Sequence, residues 1–358
     1  MVDFIGTSRM QALVSHVGVA RFIHELSYEI EKNYLRWEAF SKSPRHATHS
    51  SVGVIELMPA ANEEHYAFKY VNGHPKNGSQ GLLTVMAFGV LSQVKTGYPL
   101  VLSEMTLLTA LRTAATSVMA ARHLARKNSS VMALIGNGAQ SEFQAIGFYH
   151  DIGIRKLRLF DVDRAATDKL VANLSALQLP GLELTVCTSA EEAAKGADII
   201  TTATADKRNA VILTPSMVRP GMHLNAVGGD CPGKTELHAK ILVDENARIF
   251  VEYEPQSRIE GEIQQLSEDY PVTELADLFT GRKDGRMSDA DITIFDSVGF
   301  ALEDFSALSY AYQLNRQAPG EKETVELIPA LEDPKDLFSL VKPKNAGVVV
   351  LRRQGERR

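Results

Sequence analysis

The chain has 358 residues, 44% apolar and 23% charged, with a net charge of −6, a globular composition too long for one ordinary core, so two domains are expected. The acidic balance argues against a nucleic-acid partner, and the isolated Cys187 and Cys231 form no CxxC pair, which offers no zinc site and suits a reducing compartment. No apolar run reaches membrane-spanning length, and MVDFIGTSRMQAL lacks the basic start and apolar stretch of a leader; the expectation is a cytoplasmic protein with no membrane partner and no metal.

Over residues 19–40, Ile23, Leu26, Ile30, Tyr34 and Trp37 recur at spacings of three and four, the stripe of a long helix facing a core. Pro44 ends the pattern, and Arg45 follows in SKSPRHATHSS as an ordinary loop arginine. Strand patterns run over 52–58, 66–71, 83–90 and 100–103. Period-two alternation puts Glu56 on the face of Val54 and Met58, so a carboxylate points where an apolar group belongs; Lys69 is out of place in YAFKYV in the same way. An edge strand with one wet face would also accommodate both. Residues 104–125 read as a helix in which Arg112 is the only charge from Met105 to Ala121. An unpaired arginine is costly there, so Arg112 belongs either to an internal ion pair or to a site that grips an anionic ligand with its guanidinium fork. This helix leads into the next strand and would bridge two domains, where a substrate cleft belongs.

The stretch VMALIGNGAQSEFQ, residues 131–144, is a short buried strand, a turn with Gly136 and Gly138, and a helix start. Free backbone N–H groups and the helix dipole make such a turn a phosphate-binding device. Its pattern is G-x-G-x-x-S, with Ser141 where Gly or Ala is usual. A helix over 142–150 and a strand over 156–160 follow, and Asp161 lies 23 residues beyond Gly138, near the offset of about 20 at which an acid binds the adenosine ribose. An acid here repels a 2′-phosphate, which favours NAD over NADP. Asp163 adds to that preference and Arg164 counts against it.

The alternation continues with helices over 165–177 and 190–195 and strands over 183–187, 198–202, 223–227, 248–251 and 291–296, the pattern of a parallel sheet covered on both faces. Gly228, Gly229 and Asp230 follow one of these strands, at the edge where ligands of such sheets bind. Glycines there would let a cofactor approach, and Asp230 could reach a reacting carbon or be a plain turn residue. The last helix spans 298–315, and a Pro- and charge-rich segment then returns to the first domain; the basic tail LRRQGERR is read as a solvated end. The expected fold is α/β: a Rossmann-type doubly wound dinucleotide-binding domain, residues 119–318, and an α+β substrate-binding domain, residues 1–118, joined by residues 319–358.

With Glu56, Lys69, Arg112, GNGAQSE and AVGGDCPGKTEL in view, the sequence resembles the ornithine cyclodeaminase/mu-crystallin family. IELMPA, FKYVNGHP, LRTAATS, VEYEPQ, RIEGEIQQL and FDSVGFALED extend the resemblance over nearly the whole chain. The resemblance implies a homodimeric enzyme, with dimerisation through the first domain, that forms L-proline and ammonia from L-ornithine with NAD oxidised again within each turnover. It implies that Arg45, Lys69 and Arg112 bind the substrate carboxylate, that Glu56 and Asp230 attend its amino groups with Asp230 as acid and base, and that Gly136, Gly138, Ala139, Gln140 and Asp161 hold the dinucleotide.

Three other readings share these residues. One is lysine cyclodeamination. Another is an NAD(P)-dependent amino-acid dehydrogenase or cyclic ketimine reductase, consuming cofactor stoichiometrically. The third is a crystallin-like binding protein without turnover, against which the intact Glu56 and Asp230 speak.

Overall fold

The computed structural model describes residues 1–205 and 210–342; the basic tail lies outside the described residues. The chain starts with β1 (Val2–Ile5), α1 (Thr7–Val17) and α2 (Val19–Leu35). Phe22, Ile23, Leu26, Ile30 and Tyr34 of α2 are fully buried, as its stripe predicts. The helix stops at Leu35 rather than Phe40 because Arg36 leaves helical geometry; Trp37 stacks back on Tyr34 with ring centroids 5.5 Å apart.

Next come β2 (His46–His49), β3 (Val54–Ala61), β4 (His65–Gly73), β5 (Val85–Gln93), β6 (Pro99–Glu104) and α3 (Thr106–Leu124). Pro59 is tolerated within β3 because it lies past the end of β2, where its missing N–H leaves no ladder bond unmade. The second half holds β7 (Val131–Ile135), α4 (Ser141–Gly147), β8 (Lys156–Phe160), α5 (Arg164–Ala176), β9 (Glu183–Val186), α6 (Ala190–Ala194), β10 (Ile199–Thr202) and β11 (His223–Ala226). It continues with α7 (Ala239–Leu242), β12 (Ala247–Val251), α8 (Glu254–Glu260), β13 (Thr273–Glu274), α9 (Leu275–Phe279), β14 (Ile292–Asp296), α10 (Ala301–Gln317) and β15 (Glu323–Val325).

Two sheets result. The first has strand order β15-β1-β6-β5-β4-β3-β2, and β15 closes it by pairing antiparallel with β1. The second has order β13-β12-β14-β11-β10-β7-β8-β9 with every pair parallel. Alternate residues of β7 enter two different cores, Met132 and Leu134 one, Ala133 and Ile135 the other, so this sheet is buried on both faces. These features are those of a Rossmann-type doubly wound sheet with a second α+β unit. The larger core joins α2, α3 and α10 to the packed face of the first sheet.

The first sheet departs from simple in/out patterning on both of its faces, although Val54, Met58, Ala67, Val71, Ala87 and Leu91 keep the packed face mainly apolar. Its packed face carries Glu56 and Lys69, at 6% and 1% exposure, while its other face presents Ile55, Leu57, Tyr66, Met86 and Phe88 to the outside. The wet-edge explanation for Glu56 and Lys69 is therefore wrong: both are buried within the apolar packed face, while a row of apolar residues lies exposed on the other. Among the described residues no helix is long and apolar enough to cross a membrane, and no cluster of potential ligands is arranged for a metal ion.

Candidate functional site

β7 lies between β8 and β10, the place in the second sheet where strand order reverses and a crevice opens at the carboxyl ends. Gly136 follows β7 with φ of +94°, and a Cβ there would strike the Ala203 carbonyl beyond β10. Gly138 is the opposite case, since nothing lies within 4 Å of where its Cβ would be. Ala139 beside it is exposed, and Gln140 caps α4 with its Oε1 buried and without a hydrogen-bond partner. The Ser141 hydroxyl, 2.7 Å from the Gly138 carbonyl, ties the turn together, which accounts for Ser at this place.

Asp161 ends β8 beside this turn, where its two oxygens accept the N–H groups of Asn137 at 2.6 Å and Asp163 at 2.8 Å. An open glycine, an orphaned amide oxygen and a carboxylate next to the turn fit the pyrophosphate and ribose of a dinucleotide. Asp163 has other work: it caps α5 by accepting from Ala165 at 2.9 Å, and Arg164 pairs with Asp168.

The charged residues meet in one buried cluster, between the packed face of the first sheet and the carboxyl ends of β11, β12 and β14. Lys69 Nζ is 2.8 Å from both carboxylate oxygens of Asp304. Arg112 reaches the same Asp304 through Nε at 2.9 Å and Glu303 through Nη1 at 3.0 Å. Arg112 thus has the internal ion pairs that were one of its two sequence readings. Gly299, at φ +76°, must be glycine because a Cβ would meet the Arg112 guanidinium. Burial first, then the neighbouring Arg112, lowers Lys69 to about 8, although Asp304 opposes the shift. Burial and the nearby Glu252 push Glu303 above the usual carboxyl range.

Arg45 is no ordinary loop arginine. Its side chain is 5% exposed, and Nη1 bonds Glu56 at 3.0 Å while Nη2 bonds the Val298 and Gly299 carbonyls at 2.5 and 2.7 Å. Its Nε lies 3.0 Å from Glu260, whose carboxyl burial raises to about 7. Sequence reasoning assigned no role to Glu252, Glu260, Glu303 or Asp304. Part of a signal was available, since two cations in apolar patterns, Lys69 and Arg112, need acids, but acids at the start of a helix, as in FALEDFSAL, do not stand out.

Asp230 follows β11, 54% exposed, with Lys234 3.3 Å away. It also acts electrostatically on Arg45 and Glu260. Its loop is held from behind by a series of buried carboxylates. Asp296, at the end of β14, accepts the N–H groups of Glu262 and Ile263 at 2.8 and 3.0 Å. Glu262 accepts those of Glu236 and Leu237 at 2.6 and 3.0 Å, and Glu236 accepts those of Gly228 and Thr204 at 2.9 and 2.8 Å. Burial raises Glu262 to about 9 and Asp296 to about 7. The glycines Gly228 and Gly229 are explained by this packing, because a Cβ would collide with Glu236 at the first and with Glu262 at the second. Their bare faces admit carboxylates, not a cofactor.

The comparisons with known proteins agree with this architecture. An ornithine cyclodeaminase from Brucella suis is 56% identical over 95% of this chain and 94% of its own. A lysine cyclodeaminase structure described as recognising L-lysine, L-ornithine and L-2,4-diaminobutyric acid has TM-score 0.83 at 30% identity, covering 93% of this chain and 98% of that one. An archaeal alanine dehydrogenase dimer with bound NAD has TM-score 0.80 at 31% identity, covering 90% of this chain and 99% of its own. The model of the ornithine cyclodeaminase/mu-crystallin family matches residues 7–318, and the chain belongs to that family.

Proposed function

We infer that the chain is an ornithine cyclodeaminase, converting L-ornithine to L-proline and ammonia with NAD. The observation that carries this reading is the buried cluster in which Arg45 meets Glu56 and Glu260 while Lys69 and Arg112 share Asp304, at the carboxyl ends of the second sheet. Its charges complement a diamino acid, anionic at one end and bearing two ammonium groups. Likeness supports the same substrate, since identity is 56% to the ornithine enzyme and 30% to the lysine enzyme.

In this reading Lys69, Arg112 and Arg45 hold the substrate carboxylate and fix Cα, while Glu56 receives an amino group. Gly136, Gly138, Ala139, Gln140 and Asp161 would hold the dinucleotide, with Asp161 disfavouring a 2′-phosphate. Bound NAD supplies the redox chemistry, an oxidation at Cα that is reversed before product leaves. Ring closure is attack of the distal amine at Cα with loss of the α-amine as ammonia. Asp230 takes a proton from the attacking amine and returns one to the amine that leaves.

The same reading gives a cytoplasmic homodimer serving proline formation and ornithine or arginine breakdown. The exposed apolar face of the first sheet supports the dimer, and two buried cysteines outside any disulfide suit the compartment. It also divides the chain into residues 1–118 with 319–358, and 119–318; the pairing of β15 with β1 supports the return of the C-terminal segment.

The test uses L-ornithine deuterated at Cα with unlabelled NADH present as a trap. Proline that keeps its deuterium, read by mass spectrometry, is the expected result. Loss of the label to the trap moves the protein to the dehydrogenase or reductase reading. Lysine run in parallel decides chain length, where one methylene is worth about 1 to 3 kcal/mol.

A further inference from the structure

Glu260 differs from the buried carboxylates that hold the loops. Glu236, Glu252, Glu262 and Asp296 each accept backbone N–H groups, so each is explained by the loop it holds. Among the described residues Glu260 caps nothing. It sits at the end of α8 with its side chain 5% exposed, and its Oε2, 3.0 Å from Arg45 Nε, accepts no well-aligned hydrogen bond. Across the guanidinium, Glu56 Oε1 is likewise buried and without a partner.

Arg45 is already satisfied on its other side by two carbonyls, so two carboxylates face one guanidinium and leave a surplus of negative charge. Asp230 adds to the surplus. A buried anionic oxygen without a donor is costly, and an ammonium is the group that relieves it, by charge and by N–H donation together. A monoamino acid has one ammonium for Glu56 and Glu260; a diamino acid has one for each.

We propose that Glu260 recognises the distal ammonium of the substrate and so makes the site selective for diamino acids over monoamino acids of the same chain length. The proposal rests on the cyclodeaminase reading for the placement of the substrate carboxylate on the cations. Glu260 is a specificity-determining residue in it, while proton transfer stays with Asp230.

The experiment compares L-ornithine with L-norvaline, which has the same carbon chain without the distal amine, in the NAD-loaded wild type, Glu260→Gln and Glu260→Asp. In Glu260→Gln the KM for ornithine should rise roughly 10- to 100-fold, with a smaller change in kcat. The inhibition constant of norvaline should stay within about twofold, the reference for the lost charge-assisted bond. Glu260→Asp, which keeps the charge, should recover part of the loss. If the two ligands weaken together, Glu260 serves only to hold Arg45, and the proposal falls; it falls equally if neither weakens. Glu260→Asp decides the same question should Glu260→Gln not fold, since a shortened carboxylate still changes ornithine and not norvaline. Should the wild type form no proline, the cyclodeaminase reading fails, and calorimetric binding of the same pair still decides whether Glu260 reads a distal ammonium.

Discussion

Lys69 shows what a buried cation does when its partner is shared. Asp304 is bonded by both Lys69 and Arg112, so Lys69 has no counter-charge to itself, and burial with the nearby guanidinium lowers it to about 8. The unfolded chain therefore binds more protons than the folded one between about 8 and the ordinary lysine value of 10.5, and stability contributed by this residue rises with pH across that window. Ligand binding has the opposite sign. A carboxylate that depends on Lys69 for its charge should bind well below pH 8 and lose affinity as pH passes through it. Valerate, a carboxylate without amines of its own to titrate, is the clean probe: its inhibition constant against ornithine should rise above pH 8. A flat profile from pH 7 to pH 9.5 would remove Lys69 from the carboxylate site. Lys69 and Arg112 were legible in the sequence because a charge in an apolar pattern breaks a rule. Arg45 was not, since it sits in a polar stretch where nothing local distinguishes it and only burial against Glu56 and Glu260 gives it meaning. Asp304 and Glu303 hid for a related reason: acids in the first turn of a helix are ordinary there.

Among the elements, those with a strong period were readable and those without were not. The stripe of α2, the apolar run of β7 and the alternation in β3 and β4 each declare themselves in a few residues. Strand β1 is too short for alternation to register, yet its parallel pairing with β6 and antiparallel pairing with β15 complete the first sheet. The loop after β11 is the strongest case of structure without local signal, because its shape is set by its own Glu236 together with Glu262 and Asp296 from two distant segments. Replacing Glu262 by Ala leaves the N–H groups of Glu236 and Leu237 unpaired in a buried place, at about 1 to 3 kcal/mol each. A chemical-denaturation series should record that loss. Because the loop carries Asp230, kcat should fall in the same variant while affinity for NAD, held at the β7 turn, changes little. Unaltered kcat in a destabilised protein would show that the carboxylates support the fold and not the position of Asp230.

For the whole molecule, the outward face of the first sheet is the largest departure from what a lone chain would choose. Leu57 opposes Tyr70, and Tyr70 opposes and stacks on Phe88, so one row crosses three strands on the exposed side. Leu57→Glu puts a charge in that row at a place 38% exposed, where the fold itself should lose no more than about 0.5 kcal/mol. Sedimentation should then give the mass of one chain where the unaltered protein gives two. Two chains in the variant would put the contact elsewhere. The cluster between the sheets also sets an order of events during synthesis. Lys69 and its counter-ion Asp304 are separated by 235 positions, and Arg112 waits 192 positions for the same carboxylate. A nascent chain that has not yet delivered α10 cannot close the packed face of the first sheet over these cations without leaving them uncompensated. The buried charge cluster is thus a late product of folding, completed from the C-terminal side, and fragments ending before Asp304 would hold their cationic face open to whatever chaperone or solvent meets it.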